Sequence, residues 1–267
     1  MEKIKVAVIG AGGKMGTRTS NNLVTKFPDK FDVKLVETFP PAVERIEKER
    51  GLKVTPVDEA LAFADVVIFA VPDTLIKKLS AEYVPMLKPG TVFLILDPAA
   101  AVAKELTLRD DCTFGVAHPC HPSYFKWQKE EEAYQDRFGG EGGHQDIVMS
   151  CIQGDEEKFK LAQETARCMY RADKAFVMTS EQIAFLEPTL VETLGATCCY
   201  AMAETANEAV KRGIDREAAV SFLTGHVFNL TANFLGYLPG NPPVSDACKV
   251  ALEIGNHLVL RDDWKKI

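Results

Sequence analysis

Two histidines and a cysteine stand within four positions of one another, in a short stretch that contains two prolines. The stretch reads His118-Pro-Cys-His-Pro122 and directly follows an apolar run at residues 114–117. Imidazole and thiol groups in this arrangement suit substrate binding, proton transfer or metal ligation. The alternative is a stiff loop that carries surface histidines without a chemical role. Because loop residues that follow a strand commonly carry function, we expect His118 and His121 to belong to a site.

A carboxylate in the C-terminal half is the third candidate. Glu187 directly precedes Pro188 within a helical pattern, and a proline there removes a backbone hydrogen bond and kinks the helix. Glu187 could join His118 on one divalent metal ion, zinc or magnesium, or act as a general base. The alternative is an ordinary solvated helix acid. Glu192 is weaker, because five residues of a regular α-helix turn it about 140° away from Glu187.

A glycine cluster near the N-terminus indicates a different kind of site. The apolar run at residues 3–9 stops at Gly10-Ala-Gly-Gly-Lys-Met-Gly16, which predicts a strand, a tight turn and a helix start. The spacing is one residue longer than the strict G-x-G-x-x-G pattern. Backbone amides at a helix start, together with the helix dipole, favour an anion such as a pyrophosphate. The predicted cofactor contacts here are Gly10, Gly12, Gly13, Lys14 and Met15.

Two further strand ends support a dinucleotide site. The apolar run at residues 33–36 ends in Glu37, about 20 residues past the turn, where a dinucleotide fold places the carboxylate that binds the ribose hydroxyls. A carboxylate would repel a 2′-phosphate, so Glu37 favours NAD over NADP. The run at residues 65–71 ends in Pro72 and Asp73, at the sheet edge where such folds bind their ligand. The alternative is a purely structural turn between strand and helix.

These residues need a scaffold, and the order of elements predicts an α/β fold. Strands and helices alternate regularly up to residue 178, which indicates a doubly wound parallel sheet of the Rossmann type. From residue 179 the chain reads as helical, with a capping box at Thr179 and Gln182 that opens one long helix. We expect domains at residues 1–178, for the dinucleotide, and 179–267, for substrate and dimer contacts. So few helices make a thin core, which predicts a homodimer.

Two features leave their role open. Residues 126–145 form an irregular stretch with four glycines around Glu141, which suits either a mobile lid over the site or a surface excursion. Several polar side chains of the predicted C-terminal helices could reach a site at a helical interface or could simply face solvent: Glu204, Asn207, Glu208, His226, Asn229 and Asn233.

Composition excludes several classes of partner. The chain has 267 residues, 46% of them hydrophobic, and a net charge of −7 without a basic tract, which argues against nucleic acid and against an anionic membrane surface. No apolar stretch reaches membrane-spanning length and no signal-peptide pattern is visible, so we expect a cytoplasmic protein. The seven cysteines fit reduced thiols rather than a disulfide framework.

These motifs together resemble the 6-phosphogluconate dehydrogenase-like superfamily of NAD(P) enzymes, which includes 3-hydroxyacid dehydrogenases, prephenate dehydrogenases and ketol-acid reductoisomerases. The glycine turn, residues 64–73 and the helical C-terminal half carry the resemblance across essentially the whole chain. Within the superfamily, His118-Pro-Cys-His-Pro122 together with Phe185-Leu-Glu-Pro188 is most similar to the D-apionate oxidoisomerase group. That resemblance implies an enzyme that uses NAD to oxidise a branched sugar acid, with coupled rearrangement to a 3-oxo acid.

The chain departs from other members of the superfamily at two patterns. The K-x-x-x-N pair of 3-hydroxyacid dehydrogenases is missing, because Lys211 is followed by Arg-Gly-Ile-Asp. The D-x-x-x-E pair of ketol-acid reductoisomerases, which holds two magnesium ions, is also missing. These departures argue against simple hydroxyacid oxidation and against two-metal chemistry, and they leave a one-metal site of His118 and Glu187 as the hypothesis.

The sequence therefore predicts an NAD-dependent oxidoreductase that acts on a CH–OH group of a small sugar acid. In this hypothesis His118 and Glu187 hold a divalent metal and His121 carries the proton. The first alternative is a metal-free NAD(P)-dependent 3-hydroxyacid or phosphogluconate-type dehydrogenase. The second is a non-catalytic NAD-sensing protein on a dehydrogenase scaffold.

Overall fold

The chain divides into two compact units, Met1–Ala184 and Phe185–Ile267. The structure is a computed structural model that describes residues 2–240 and 242–266. The first unit is α/β and the described part of the second is helical, which confirms the predicted fold class. The domain limits expected from the sequence, residues 1–178 and 179–267, stay a prediction.

The first unit is built on one seven-stranded sheet with the strand order β2-β1-β3-β4-β5-β6-β7. Neighbouring strands are parallel except β5 and β6, which are antiparallel. The sheet is therefore mostly parallel rather than wholly parallel as predicted. The chain between β5 and β6 contains a single five-residue helix and returns at the edge where β5 ends, since Pro119 is paired with Ile147, so the two strands run antiparallel. The strands are β1 Ile4–Ile9, β2 Phe31–Val36, β3 Val66–Phe69, β4 Val92–Ile95, β5 Thr113–Pro119, β6 Gln145–Gln153 and β7 Ala172–Val177.

The helices of the first unit connect these strands. Its α-helices are α1 Lys14–Asn21, α2 Pro40–Arg50, α3 Val57–Phe63, α4 Asp73–Tyr83, α5 Ala99–Val102, α6 Glu131–Gln135, α7 Glu156–Tyr170 and α8 Ser180–Ala184. A π-helical turn, Asn22–Lys26, continues α1, and a 3₁₀ turn, Val84–Met86, continues α4. Alternation of strand and helix gives the doubly wound arrangement that the sequence predicts.

The core of the first unit lies along the central strands. Val8 of β1, Ile68 of β3 and Leu94 of β4 are completely buried. Their continuous apolar runs suit strands that helices cover on both faces. Residues 53–55 form no strand of their own and contribute only an isolated bridge between Val54 and Leu35.

The described part of the second unit contains three long α-helices and a π-helical segment. These are the π-helical Phe185–Gly195, followed by α9 Ala196–Lys211, α10 Arg216–Phe234 and α11 Asp246–Val259, and a final 3₁₀ turn at Trp264–Lys266. None of the helices in the described residues is both long and apolar enough to cross a membrane.

The helical region that begins near residue 180 differs from its prediction in one respect. The capping box is confirmed, because the Thr179 amide donates to Gln182 Oε1 at 2.9 Å and the Gln182 amide donates to Thr179 Oγ1 at 3.2 Å. The expected single long helix is wrong: α8 gives way to the π-helical segment before α9 begins. Pro188 lies inside that segment, and a proline cannot donate the bond that a regular helix requires.

Candidate active site

The glycine turn between β1 and α1 is too close to other backbone for any side chain. Gly10 has φ +77°, and a Cβ on it would lie 2.4 Å from the Ala70 carbonyl oxygen. A Cβ on Gly16 would lie 2.0 Å from the Gly10 carbonyl oxygen. Gly10 therefore needs glycine both for conformation and for space, and Gly16 needs it for space. The two glycines let the turn and the start of α1 pack closely at the carboxyl edge of the sheet.

Glu37, at the end of β2, is held against this turn. Its Oε2 accepts from the Gly12 amide at 2.9 Å, and its Oε1 accepts from the amides of Thr38 and Phe39 at 2.9 and 3.0 Å. A Cβ on Gly12 would lie 3.0 Å from Oε2. The carboxylate is therefore fixed beside the turn, in the position that the sequence predicts for a ribose-binding acid.

A cavity of about 450 Å³ lies over the turn. Five of the predicted cofactor residues line it, namely Gly10, Gly12, Gly13, Glu37 and Pro72. Lys14, Met15 and Asp73 are not among its lining residues; Lys14 is the first residue of α1 and Asp73 the first of α4. Arg45 also reaches the cavity, and its Nη2 donates to the Gly12 carbonyl oxygen at 3.2 Å. The open backbone, the helix start and the fixed carboxylate fit a dinucleotide.

One histidine lies on β5 and a second lies just after that strand, and each is anchored through one ring nitrogen. His118, on β5, has Nδ1 2.8 Å from the Leu96 carbonyl oxygen, and His121 has Nδ1 2.7 Å from the Phe138 carbonyl oxygen. A carbonyl oxygen only accepts, so in both neutral rings Nδ1 carries the proton and Nε2 carries the lone pair. That tautomer suits Nε2 as a base or as a metal ligand.

His121 also has a strained backbone. Its φ is +60°, in the left-handed region that residues other than glycine rarely adopt. Strain of this kind persists only where the surroundings enforce it, and it is concentrated at functional sites. The neighbouring ring of Phe138 lies 4.6 Å from the imidazole, centroid to centroid.

Asp136 organises the loop that supplies the Phe138 carbonyl. Its carboxylate accepts from four backbone amides, all between 2.9 and 3.0 Å, and from Arg18 Nη1 at 3.3 Å. Burial alone would raise the pKa of Asp136, but these bonds outweigh it and lower the pKa below its usual value. Residues 136–143 are therefore tied around one partly buried negative charge. The four donating amides belong to Gly139, Glu141, Gly142 and Gly143.

This loop was only partly predictable. The sequence left residues 126–145 open between a lid and a surface excursion, and Arg18, Asp136 and Phe138 were not among its candidates. A signal was present, because an aspartate three residues before the run Gly-Gly-Glu-Gly-Gly suits a carboxylate that backbone amides surround. What the sequence could not indicate is that Arg18, on a helix 118 residues earlier, supplies the opposite charge.

Glu187 lies in the π-helical segment of the second unit and is partly buried. Thr193 Oγ1 donates to the Pro188 carbonyl oxygen at 2.6 Å. A π-helix joins residues five apart, so the rotation that set Glu192 apart from Glu187 in a regular α-helix does not apply here. His118 belongs to the first unit and Glu187 to the second. No group of three or more His, Cys, Asp or Glu side chains in the described residues is placed to hold a metal.

The other polar candidates of the second unit separate into two sets. His226, Asn229 and Asn233 follow one face of α10 and line a cavity of about 730 Å³ within the second unit. The remaining candidates, on α9, form local surface contacts: Asn207 Nδ2 donates to Glu204 Oε1 at 3.1 Å, and Lys211 pairs with Glu208 at 2.6 Å.

Comparison with known proteins gives two family matches that together span most of the chain. Residues 126–267 match the C-terminal part of phosphogluconate dehydrogenase (decarboxylating), and residues 1–116 match the NADPH-binding domain of acetohydroxy acid isomeroreductase. The D-apionate oxidoisomerase of Blautia hydrogenotrophica is 71% identical over 100% of this chain and 93% of that protein. The D-apionate oxidoisomerase of Cupriavidus necator is 42% identical over 99% of this chain and 95% of that protein.

Solved structures give the same picture of the fold. A semialdehyde dehydrogenase NAD-binding protein from Cupriavidus necator, in complex with calcium and NAD, superposes with a TM-score of 0.94 at 42% identity, covering 99% of this chain and 95% of that one. An NADH-preferring ketol-acid reductoisomerase from an uncultured archaeon has a TM-score of 0.67 at 19% identity, covering 98% of this chain and 78% of that one, and so shares the fold alone.

Proposed function

We propose, from the premise that the chain belongs to the D-apionate oxidoisomerase family, that it oxidises D-apionate with NAD and couples the oxidation to rearrangement into a 3-oxo acid. The observation that carries the proposal is the 71% identity to a D-apionate oxidoisomerase over 100% of the chain. The glycine turn, Glu37 and the cavity between them support NAD as the oxidant. In this proposal residues 1–178 bind the dinucleotide and residues 179–267 contribute substrate and dimer contacts.

The residues of this chain divide the work as follows. The amides at the start of α1, at Lys14 and Met15, bind the pyrophosphate, which Gly10, Gly12 and Gly13 allow to approach, while Glu37 binds the ribose hydroxyls. When bound, NAD accepts the hydride that leaves the carbinol carbon. His121 Nε2 takes the hydroxyl proton of the substrate, because Nδ1 is already committed to the Phe138 carbonyl.

NAD rather than NADP follows from how firmly Glu37 is held. Its two oxygens accept three backbone amides between them, so the carboxylate cannot turn away from a 2′-phosphate without losing those bonds. Arg45, which lines the cavity, donates to the carbonyl oxygens of Gly12 and Pro41. Its guanidinium is therefore engaged with backbone rather than presented to a phosphate.

One divalent metal, zinc or magnesium, is the part of the proposal that depends on both units. His118 fits a metal ligand, because a ligating histidine characteristically donates its other ring N–H to a backbone carbonyl or a carboxylate. Glu187 would be the second ligand. A metal there would polarise the substrate oxygens and stabilise negative charge on them. Metal analysis of purified protein, and of His118→Ala and Glu187→Gln variants, tests this part separately from turnover.

The second unit supports the homodimer. Its described side chains include large apolar groups with high exposure, and a monomer rarely leaves so much apolar surface in water. The most exposed of these apolar side chains are Tyr200, Phe222, Leu258 and Val259. Sedimentation equilibrium should give twice the chain mass of 29.4 kDa.

We also propose a cytoplasmic location, which the absence of disulfides among the seven cysteines favours.

Formation of NADH from D-apionate and NAD by the purified protein, with product identified by mass spectrometry, is the direct test. No NADH from D-apionate would refute the proposal. The alternative, a phosphogluconate-type or 3-hydroxyacid dehydrogenase that needs no metal, is favoured by the match of residues 126–267. It predicts turnover of 6-phosphogluconate or a 3-hydroxyacid that survives exhaustive chelation.

A further inference from the structure

His121 is held in place by an aromatic ring that two cations clamp. Phe138 supplies the carbonyl that binds His121 Nδ1, and its ring lies beside the imidazole. Lys14 Nζ lies 3.7 Å from the centroid of the Phe138 ring, and Arg18 Cζ lies 4.4 Å from it. Cations over an aromatic face attract it, so both side chains hold Phe138 against α1.

Arg18 holds the Phe138 loop through hydrogen bonds as well as through its contact with the Phe138 ring. Besides stacking on Phe138, its Nη1 donates to the Gly139 carbonyl oxygen and to Asp136 Oδ1. Those two acceptors flank Phe138 in the chain. The guanidinium therefore fixes the ring from one side, the backbone directly after it and the Asp136 side chain two residues before it, with the planar set of donors that an ammonium lacks.

The backbone of this loop, residues 136–143, has no room to move and so make up for a lost contact with Arg18. Gly139 has φ +78°, and a Cβ on it would lie 2.8 Å from Pro122, the residue directly after His121. The Asn22 side chain donates to the Gly140 carbonyl oxygen. The loop of residues 136–143 thus packs directly against His121–Pro122 and against α1. A shift of Phe138 would therefore move its carbonyl oxygen, which accepts the hydrogen bond from His121 Nδ1.

We propose that Arg18 and Phe138 are positioning residues that hold His121 in the Nδ1–H tautomer, with its Nε2 lone pair available for the substrate proton. This rests on the proposed role of His121 as the base. Free histidine in water favours the other tautomer, with the proton on Nε2, so the Phe138 carbonyl must impose the tautomer seen here. Because Arg18 belongs to the helix that starts at the glycine turn, one helix serves both the dinucleotide and the base.

The test reads the tautomer directly, without substrate. The chain has five histidines, so selective ¹⁵N-histidine labelling gives few signals, and His121→Asn assigns the one in question. Asparagine tolerates a positive φ, so this variant keeps the backbone. We expect the His121 signals of the wild type to show a protonated Nδ1 and an unprotonated Nε2. A wild type with the proton on Nε2 would overturn the proposal whether or not any variant folds.

The variants then separate positioning from general support of the loop. In Arg18→Ala we expect the His121 signals to move towards the Nε2–H tautomer and kcat to fall by about tenfold or more, up to the 10²–10⁴ that a placed base supplies in full, while the KM for NAD changes less than threefold. Arg18→Lys should recover only part of kcat. Unchanged His121 signals in a folded Arg18→Ala protein would refute the proposal.

Arg171→Ala is the matched control. Arg171 Nη1 donates to the carbonyls of Glu141 and Gly142 in the same loop, and its Nη2 lies 2.9 Å from His144 Nε2. The control should move the His144 signal and leave that of His121 in place. An equal change at His121 would mean that any loosening of the loop has this effect, and Arg18 would lose its special role. Turnover by His121→Asn at the wild-type rate would refute the role of His121 as base and leave the tautomer result standing.

Discussion

Replacement of Glu37 should change which dinucleotide the protein prefers. The carboxylate lines the cavity and accepts three backbone amides between 2.9 and 3.0 Å. Hydrogen bonds from ribose hydroxyls to a charged group are worth about 1.5–3 kcal/mol, which is about 10- to 150-fold in affinity. A 2′-phosphate about 4 Å from Glu37 would meet about 4 kcal/mol of repulsion per unit charge at an effective dielectric constant of about 20. Glu37→Ala should therefore weaken NAD and strengthen NADP.

Calorimetric titration of both dinucleotides into wild type and variant measures the two effects separately. Glu37→Gln keeps one of the two accepting oxygens but loses the charge, so it should relax the discrimination against NADP with less effect on folding than Glu37→Ala. Asp32→Asn is the matched control, because Asp32 is an exposed acid on the same strand and its loss changes the net charge equally. If Glu37→Ala binds NAD within threefold of wild type and gains nothing for NADP, the assignment of Glu37 to the ribose is wrong.

Three further changes have expected outcomes. Gly10→Ala should abolish NAD binding, measured by calorimetry, because its Cβ would lie 2.4 Å from the Ala70 carbonyl oxygen at φ +77°; retained affinity would contradict the assignment of the turn. Asp136→Asn should cost about 1–3 kcal/mol of unfolding free energy at pH 7. The folded pKa of Asp136 is lowered, so its carboxylate stabilises the fold above the unfolded pKa of 3.8. Urea titrations should therefore show that the difference in unfolding free energy between wild type and variant shrinks as the pH falls through the folded pKa. A difference that stays constant with pH would exclude this linkage. Tyr170→Phe should cost about 1–2 kcal/mol, through the lost bond to the Ala117 carbonyl at 3.1 Å, with kcat unchanged; a tenfold loss of kcat would indicate a role in the site.

The first part of the site could be predicted because its signals are local. The glycine turn and the apolar run before it are contiguous, and Glu37 follows the second strand directly. In a parallel sheet both strand ends must meet at one edge. The order of strand, turn and helix alone therefore predicts that the glycine turn and Glu37 lie around one cavity. The roles of the individual residues stay predictions until the variants are measured.

Other parts could not be predicted, because they depend on contacts between distant positions. The bond from Arg18 to Asp136 and the bond from Asn22 to Gly140 each join residues 118 positions apart, and no periodicity in either segment indicates its partner. The prediction of one long regular helix failed at the π-helical segment for a different reason. Pro188 predicts an interruption, but whether the helix kinks or widens is decided by packing rather than by the proline itself.

The reversed strand β6 has a consequence for how this fold could vary. A parallel successor to β5 would have carried the chain away to the opposite edge of the sheet, whereas an antiparallel one begins where β5 ends. The whole connection from residue 120 to residue 144 therefore stays on the side where the strands β1, β3 and β4 also finish. Changes in this stretch would therefore act on the surroundings of His121, through the contacts of residues 136–143, rather than on the register of the strands.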